Sequence, residues 1–551
     1  MSTSTGPLDV LIVGTGFSGT YLVHRLLNLN YRVLALDASP SLGGVWNSNT
    51  YPGARVDIQV PEYQLSLPEL SSWQWKERFP GREELQAYFA FAEKRLGRKG
   101  DEGLAKHCTF GVWVEGATWH EQERLWEVRA SDGRMWRARW FLPCVGYAAR
   151  PFVPDWKGFE AFEGVVRHTA KWGNGGEPDV KGKKVGVVGT GASGVQVVQT
   201  IAPEVESLTV FQQTPALAVP MRQRAFDPEF SKKTNDERED FFANRKNIWD
   251  GSSGSMIPRA AKDETPEQRV REFDRLWDAG GFAFWSSNYM DMYVDRASNA
   301  HIYAYWRDRV RQRVHDPTIA SLLAPSTPPH PFGTKRVPLE QTYFESFNLP
   351  NVSLVSLPSD PITSITPSGV LLQSGTHHAL DILILATGFD VGSGSFTQLS
   401  IRGVSTDSES HSQPLSLSDL WITRGPSTYL GLATSGFPNM LFPYGPQSPS
   451  GTCNGPLCAE IQGDWMVELL EHIRAAGKTR VEAKEEAQAE WTEHAGIVLK
   501  GTLFEETRSY FWGQNVPGKK KGLVYYFGGV PAYLGRLEEE VKGGYPGLRV
   551  D

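Results

Sequence analysis

The chain has 551 residues, too many for one ordinary hydrophobic core, and its 40% apolar and 22% charged residues are those of a globular protein. Its 63 acidic residues outnumber 56 basic ones for a net charge of −7, which removes the electrostatic case for nucleic acid. Four scattered cysteines, Cys108, Cys144, Cys453 and Cys458, form no C-x-x-C pair, so neither a disulfide framework nor a metal site is expected. The N-terminal Met1 to Pro7 has neither the basic region nor the apolar core of a secretory signal. Apolar runs such as Ile382 to Ala386 fall far below the roughly 20 residues that span a bilayer. A cytoplasmic protein with no membrane partner is the expectation.

The first predicted strand is the apolar run Asp9 to Val13. It leads into Gly14-Thr-Gly16-Phe17-Ser18-Gly19, and Thr20 to Leu27 reads as a helix with Leu22, Val23, Leu26 and Leu27 on one face. A second strand, Arg32 to Leu36, ends in Asp37. Strand, glycine loop, helix, strand and acid together are the fingerprint of a dinucleotide site. The glycines let backbone amides approach a pyrophosphate at the helix N-terminus, and the acid can hold ribose hydroxyls. Gly43-Gly44-Val45-Trp46 follows, either a plain turn or, as in flavoproteins with this kind of start, a segment whose small residues let the backbone close to a flat ring system; Tyr51 to Asp57 lies just beyond. Phe141 to Gly146 reads as a buried strand leading out of this first unit.

Next comes Phe162-Glu-Gly164-Val-Val-Arg-His168-Thr-Ala-Lys-Trp172, of the form F-x-G-x-x-x-H-x-x-x-W. A lone histidine is more often a structural hydrogen-bonder than a catalyst, so His168 reads as an anchor in a joint, with Trp172 one turn on if the segment is helical. Lys183 to Val188 is again strand-like and enters a second loop, Gly189-Thr190-Gly191-Ala192-Ser193-Gly194. The helix after it, Val195 to Ile201, stops at Pro203. The next strand, Ser207 to Phe211, ends in Gln212-Gln213-Thr214 without a carboxylate. An acid there would repel a 2′-phosphate, so its absence favours NADPH over NADH, with Lys335 as a source of positive charge.

Residues 222–333 are rich in charge and aromatics, and Asp236 to Phe242, Arg271 to Trp277 and Tyr303 to Arg311 read as amphipathic helices. The proline-rich Ala324 to Gly333 closes that region. The strand Asp381 to Leu385 runs into Ala386-Thr387-Gly388-Phe389-Asp390, which alone could be a plain buried strand but resembles the point where flavoproteins with two dinucleotide domains return to the first unit. Ser405 to Pro414 reads as a polar loop, and Lys519 to Lys521 as a solvated turn. The expected fold class is α/β, with two Rossmann-like dinucleotide-binding domains, the second inserted in the first, and a helical subdomain. Residues 1–145 plus 387–551 form the first domain, 150–221 plus 334–380 the second, and 222–333 the helical insert.

These residues resemble the flavin-dependent Baeyer–Villiger monooxygenases of the single-chain type that uses FAD and NADPH. The resemblance covers nearly the whole length. It rests on both loops, Gly43 to Trp46, Tyr51 to Asp57, Phe162 to Trp172, Pro331 to Arg336, Ala386 to Asp390, Gly436 to Asn439, Gly445 to Pro449 and Asn515 to Gly518. Related N- and S-oxygenating enzymes usually carry Phe or Tyr where this chain has Trp172. The chain departs from the family pattern at Gly173, at Gln213 in place of an arginine, and at Tyr510 in place of a tryptophan.

The resemblance implies conversion of a hydrophobic ketone to an ester or lactone with O2 and NADPH, through a flavin peroxide. A flavin-dependent N- or S-oxygenase of the same fold is the alternative, and a non-catalytic redox sensor is the reading outside enzymes. Arg336 and Asp57 are the implied catalytic residues. The implied cofactor-binding residues are Gly14, Gly16, Phe17, Ser18, Gly19, Asp37, Gly44, Val45, Trp46, Arg55, Asp57, Tyr63, Val114, Gly189, Thr190, Gly191, Ala192, Ser193, Gly194, Gln213, Thr214, Lys335, Arg336 and Tyr510. The substrate pocket is expected to draw on Tyr429 to Phe442 and Phe504 to Phe511.

Overall fold

The computed structural model describes residues 6–100, 103–173, 176–226, 237–252, 254–404 and 414–551. The expected polar loop at 405–413, Asp236 and the N-terminal residues 1–5 lie outside them. The first apolar run folds as strand Leu8–Val13 and the following helix as Phe17–Asn28, with Leu22, Val23, Leu26 and Leu27 buried. The strand sits inside a seven-stranded sheet. Its order is Ser400–Arg402, Val114–His120, Leu125–Ala130, Met135–Pro143, Leu8–Val13, Val33–Asp37 and Cys108–Phe110. Around Leu8–Val13 the pairing is parallel, and both faces are covered from Val10 onward, which is why Val10 to Val13 are all apolar. Val114 to Pro143 is an antiparallel meander, of which the sequence showed only the last strand.

The second sheet is five-stranded and wholly parallel, in the order Val352–Ser356, Ser207–Gln212, Lys184–Val188, Ile382–Leu385 and Val165–His168. Helix Ala192–Ile201 connects Lys184–Val188 to Ser207–Gln212. Two short segments join the sheets and pair with each other in antiparallel fashion. Phe152 N donates to Gly388 O at 2.8 Å, Asp390 N to Arg150 O at 2.8 Å, and Gly392 N to Tyr147 O at 2.7 Å.

The charge-rich region supplies helices Arg238–Asn244, Pro266–Ala279, Arg296–Arg311 and Pro317–Leu323. It does not stand apart. Arg245, only 1% exposed, donates to Glu62 O and Gln64 O of the first unit and pairs with Glu460 at 3.2 Å. Such a buried pair is costly to break, because removing one partner leaves the other charge uncompensated. Long helix Gly455–Ala475 packs on Phe17–Asn28, where Gly463 gives way to Tyr21: a Cβ there would lie 2.7 Å from the tyrosine ring. Lys519 is not the solvated turn residue that the sequence suggested. Its Nζ pairs with Asp390, and Asn515 Nδ2 donates to Phe389 O, so this segment clasps one of the two joining strands. No helix among the described residues is long and apolar enough to cross a membrane.

Candidate active site

The first glycine loop owes its shape to contacts that no side chain could share. Gly14 has φ +99°, and a Cβ on it would lie 2.4 Å from Cys144 O; a Cβ on Gly19 would lie 1.9 Å from Gly14 O. Helix and strand therefore meet backbone to backbone, and amides at the helix start face outward. Gly16 is extended, with its nearest neighbour the Cα of Gly44. Thus Gly44 lies directly against the loop, beside Val45 and the buried Trp46. Trp46 Nε1 donates to Tyr63 Oη at 3.2 Å, and Phe17 meets the Tyr63 ring edge-on at 5.1 Å. Ser18 Oγ is buried without a hydrogen-bond partner among the described residues, a hydroxyl poised for an acceptor.

Asp37 is buried and accepts from Thr15 N at 2.6 Å, Thr15 Oγ1 at 2.7 Å and Ser39 N at 2.7 Å. These bonds bind the acid to the glycine loop and leave it one acceptor position. Val114 is buried at the start of its strand, and Val112 N donates to Asp37 O. Arg55 turns instead to Phe79 O, at 2.8 Å, and to Glu77.

The second loop repeats the backbone solution. A Cβ on Gly189 would lie 2.4 Å from Ala386 O, and one on Gly194 would lie 2.1 Å from Gly189 O. Gly191 and Ala192 are exposed, and a Cβ on Gly191 would meet nothing within 4 Å. Thr190 Oγ1 donates to Thr214 O at 2.6 Å, which ties the loop to the end of the next strand, while Gln213 is exposed there. Ser193 Oγ donates to Tyr51 Oη, and Tyr51 Oη to Gln196 Oε1. Gly53, at φ +79°, has no room for a Cβ, which would lie 2.2 Å from Thr200 Oγ1. The Tyr51 to Asp57 segment therefore runs from the first loop's surroundings onto the second loop's helix.

Asp57, at the end of that segment, meets Arg336. Arg336 Nε donates to Asp57 Oδ2 at 2.8 Å and Nη2 to Oδ1 at 2.7 Å, a two-pronged pair between residues 279 apart. The guanidinium stacks 4.7 Å from the Phe282 ring centre and 5.9 Å from that of Trp285. Burial works against its charge, but the Asp57 charge and hydrogen bonds outweigh burial and hold the Arg336 pKa above its ordinary value. Burial pushes the neighbouring phenols Tyr63, Tyr147 and Tyr510 up, so they stay neutral. Arg336 and Asp57 open on a cavity of about 480 Å³. Of the expected lining, Phe504 is present. Tyr429 to Phe442 does not reach the cavity: Leu430, Leu432 and Leu441 pack in the core behind helix Gly455–Ala475, and Phe437 and Phe442 behind the first sheet. The helical insert takes that place with Trp249, Phe282, Trp285 and Tyr293, joined by Phe527.

Lys335 stands beside Arg336 in sequence, and burial, then the charge of Arg508, lowers its pKa. Neither Lys335 nor Arg508 forms a salt bridge with a carboxylate among the described residues. Arg508 carried no motif and went unnoticed in the sequence. His330 completes this group; burial, then Lys335, pushes its pKa down to about 4.

The Phe162 to Trp172 stretch is strand Val165–His168 and a short 3-10 turn, Thr169–Lys171, not a helix. His168 Nδ1 accepts from Ala170 N at 3.0 Å and caps that turn. Its ring stands edge-on to Phe389, 5.9 Å away, beside the two joining segments. Trp172 is buried in the cluster that holds Tyr51 and Ala54. Burial lowers the pKa of His168, so the ring is a neutral strut.

Known proteins resemble this chain over its whole length. Residues 12–65 match a family model described as an NAD(P)-binding Rossmann-like domain, and residues 69–258 match one for L-lysine 6-monooxygenase/L-ornithine 5-monooxygenase. Cyclopentanone 1,2-monooxygenase of Comamonas sp. (strain NCIMB 9872) is 39% identical over 98% of this chain and 96% of that protein. The closed crystal structure of cyclohexanone monooxygenase superimposes with a TM-score of 0.93 at 33% identity, covering 100% of both chains. The structure of OTEMO in complex with FAD and NADP gives 0.92 at 30% identity over 99% of this chain and 100% of that one. The residues here fit both groups: two loops that only glycine can close, an unpartnered Ser18 hydroxyl at the first and an open approach at Gly191 in the second. The chain belongs to the flavin-dependent Baeyer–Villiger monooxygenases, enzymes that use FAD and NADPH.

Proposed function

We propose that this enzyme converts a hydrophobic ketone to an ester or lactone, consuming O2 and NADPH, and that Arg336 is the residue on which oxygen transfer depends. The observation that carries the reading is the two-pronged Arg336–Asp57 pair at the edge of a ring-lined cavity. Bound FAD supplies the oxygen chemistry at the expense of NADPH. What this chain supplies is a fixed positive charge. A guanidinium cannot give up its proton, and Asp57 uses both oxygens to set its plane. Negative charge developing as oxygen adds to the carbonyl is stabilised there, and Phe282, Trp285, Phe504 and Phe527 keep water away.

In this reading Gly14, Gly16, Phe17, Ser18, Gly19, Asp37, Gly44, Val45, Trp46 and Tyr63 hold FAD. The second loop, Thr214 and Tyr510 hold NADPH, and Lys335 with Arg508 receives its 2′-phosphate. The two sheets support a division into an FAD domain of 1–145 plus 387–551, an NADP domain of 150–221 plus 334–380, and a helical insert of 222–333.

Arg336→Ala tests the assignment. Ester formation should fall by about 10²- to 10³-fold or more. Stopped-flow absorbance should still show flavin reduction by NADPH. A variant with the ester yield of the wild type would overturn the role given to Arg336.

A further inference from the structure

The cavity beside Arg336 has two unlike walls. One is made of rings, Phe282, Trp285, Phe504 and Phe527. The other is polar and is built around Asp250. Asp250 Oδ1 accepts from Ser252 N at 3.0 Å and from Ser252 Oγ at 2.6 Å, and the Ser286 hydroxyl, which donates to Phe282 O at 3.3 Å, lies near the same carboxyl group. Its backbone carbonyl accepts from Asn454 N at 2.9 Å, which pins this loop to the start of helix Gly455–Ala475. The position is therefore set by the insert on one side and the C-terminal helix on the other.

Among the described residues no cation forms a salt bridge with Asp250. A carboxylate on the wall of a ring-lined cavity is expensive unless hydrogen bonds satisfy it. It offers about four acceptor positions, and Ser252 takes two of them, both on Oδ1, with the Ser286 hydroxyl and the Asp250 amide close by. Burial pushes its pKa up against those bonds, so its surroundings under-solvate it. A site that only had to admit an apolar ketone gains nothing from such a group.

We propose that Asp250 is a substrate-recognition residue, and that the cavity takes a ketone carrying a hydroxyl group that donates to this carboxylate while the carbonyl lies toward Arg336. The inference rests on the reading of the enzyme as a ketone oxidase. A hydroxyl fits better than an ammonium group. Three guanidinium groups, those of Arg336, Arg78 and Arg275, line the cavity with the carboxylates of Asp57, Glu62 and Asp250, so the wall carries no net negative charge to draw in a cation. The donors that Asp250 already holds are neutral too.

The test pairs hydroxyl-bearing mono- and bicyclic ketones with their methyl counterparts, on the FAD-loaded wild type, Asp250→Leu and Asp250→Asn. A hydrogen bond to a charged group is worth about 10- to 100-fold. The wild type should prefer at least one hydroxy ketone by about that factor in kcat/KM. Asp250→Leu should reverse the preference, and Asp250→Asn, which keeps one acceptor oxygen, should retain part of it. Calorimetric Kd values for the same pairs, measured on oxidised enzyme without NADPH, decide the point independently of turnover. Selective binding without ester would sink the ketone-oxidase reading and leave recognition by Asp250 standing. Equal Kd ratios in the wild type and Asp250→Asn, or no hydroxy preference in the wild type, would overturn the inference even if every ketone gives ester.

Discussion

At Gly14 and at Gly189 an added Cβ would strike a carbonyl oxygen at the same 2.4 Å, that of Cys144 in one loop and Ala386 in the other. Backbone geometry is thus shared between the two dinucleotide sites, and the difference lies in what surrounds them. The first loop is walled in by Gly44, Trp46, Tyr63 and Phe17, and Ser18 is buried. The second presents Gly191 and Ala192 to solvent. A cofactor that serves every turnover belongs in the enclosed site, and one that must leave after giving up its hydride belongs in the open one. Tyr51 to Asp57 links them, since it touches the second helix through Tyr51 and Gly53 and ends at Arg336.

The sharpest way to break this comparison is at the third glycine of each loop. Gly19→Ala would put a carbon 1.9 Å from Gly14 O, and Gly194→Ala one 2.1 Å from Gly189 O. Both helices must shift. We expect Gly19→Ala to yield colourless or insoluble protein. Gly194→Ala should stay yellow, with reduction by NADPH at least about 100-fold slower. Flavin absorbance and stopped-flow reduction separate the two. A yellow, fully active Gly19→Ala enzyme would mean that the enclosed loop is not where FAD is held.

A second difference is electrostatic. Beside Lys335, His330 has its pKa pushed down to about 4, by burial first and the lysine second. Its ordinary value is about 6.5. In the window between them the unfolded chain binds a proton that the folded chain refuses. Stability is therefore full above about pH 6.5 and declines as pH falls toward 4. Between pH 7 and pH 5 this group alone accounts for at most about 2 kcal/mol. Denaturant midpoints at the two pH values should differ less in His330→Asn than in the wild type. If the slopes match, His330 does not carry the effect.

The sequence displayed the loops, their strands and helices, and the acid Asp37, because those requirements are local. A glycine without room for a Cβ and an apolar strand buried on both faces are written in consecutive residues. Asp57 and Arg336 also stood out, though only through their motifs; nothing in their spacing says that they touch. The cavity was read poorly for the same reason. Trp249, Phe282 and Trp285 come from a charge-rich insert whose periodicity announces helices but not what they cover. Tyr429 to Phe442 is apolar enough for a pocket, yet left-handed turns at Leu430 and Asn439 fold it into the core. Lys519 had the look of a surface turn, and only the fold places Asp390 beside it.

Gly191 probes the open site alone. Its backbone is extended, at φ −73° and ψ −171°, and an added Cβ meets nothing within 4 Å, so Gly191→Ala should fold with unchanged stability. The methyl group would instead occupy the approach of a pyrophosphate, and KM for NADPH should rise about 10-fold with FAD retained. The smallest effect should come from Gln213. It is exposed at the strand end where the family pattern has an arginine, and in the proposed reading Lys335 with Arg508 receives the 2′-phosphate. Gln213→Arg adds one solvent-screened charge, worth about 2- to 5-fold. KM for NADPH should fall by that factor and KM for NADH should stay. A fall in both would mean that the new arginine meets the pyrophosphate common to the two nucleotides. No change in either would leave Lys335 and Arg508 as the sole readers of the phosphate, and Lys335→Ala should then bring the two KM values together.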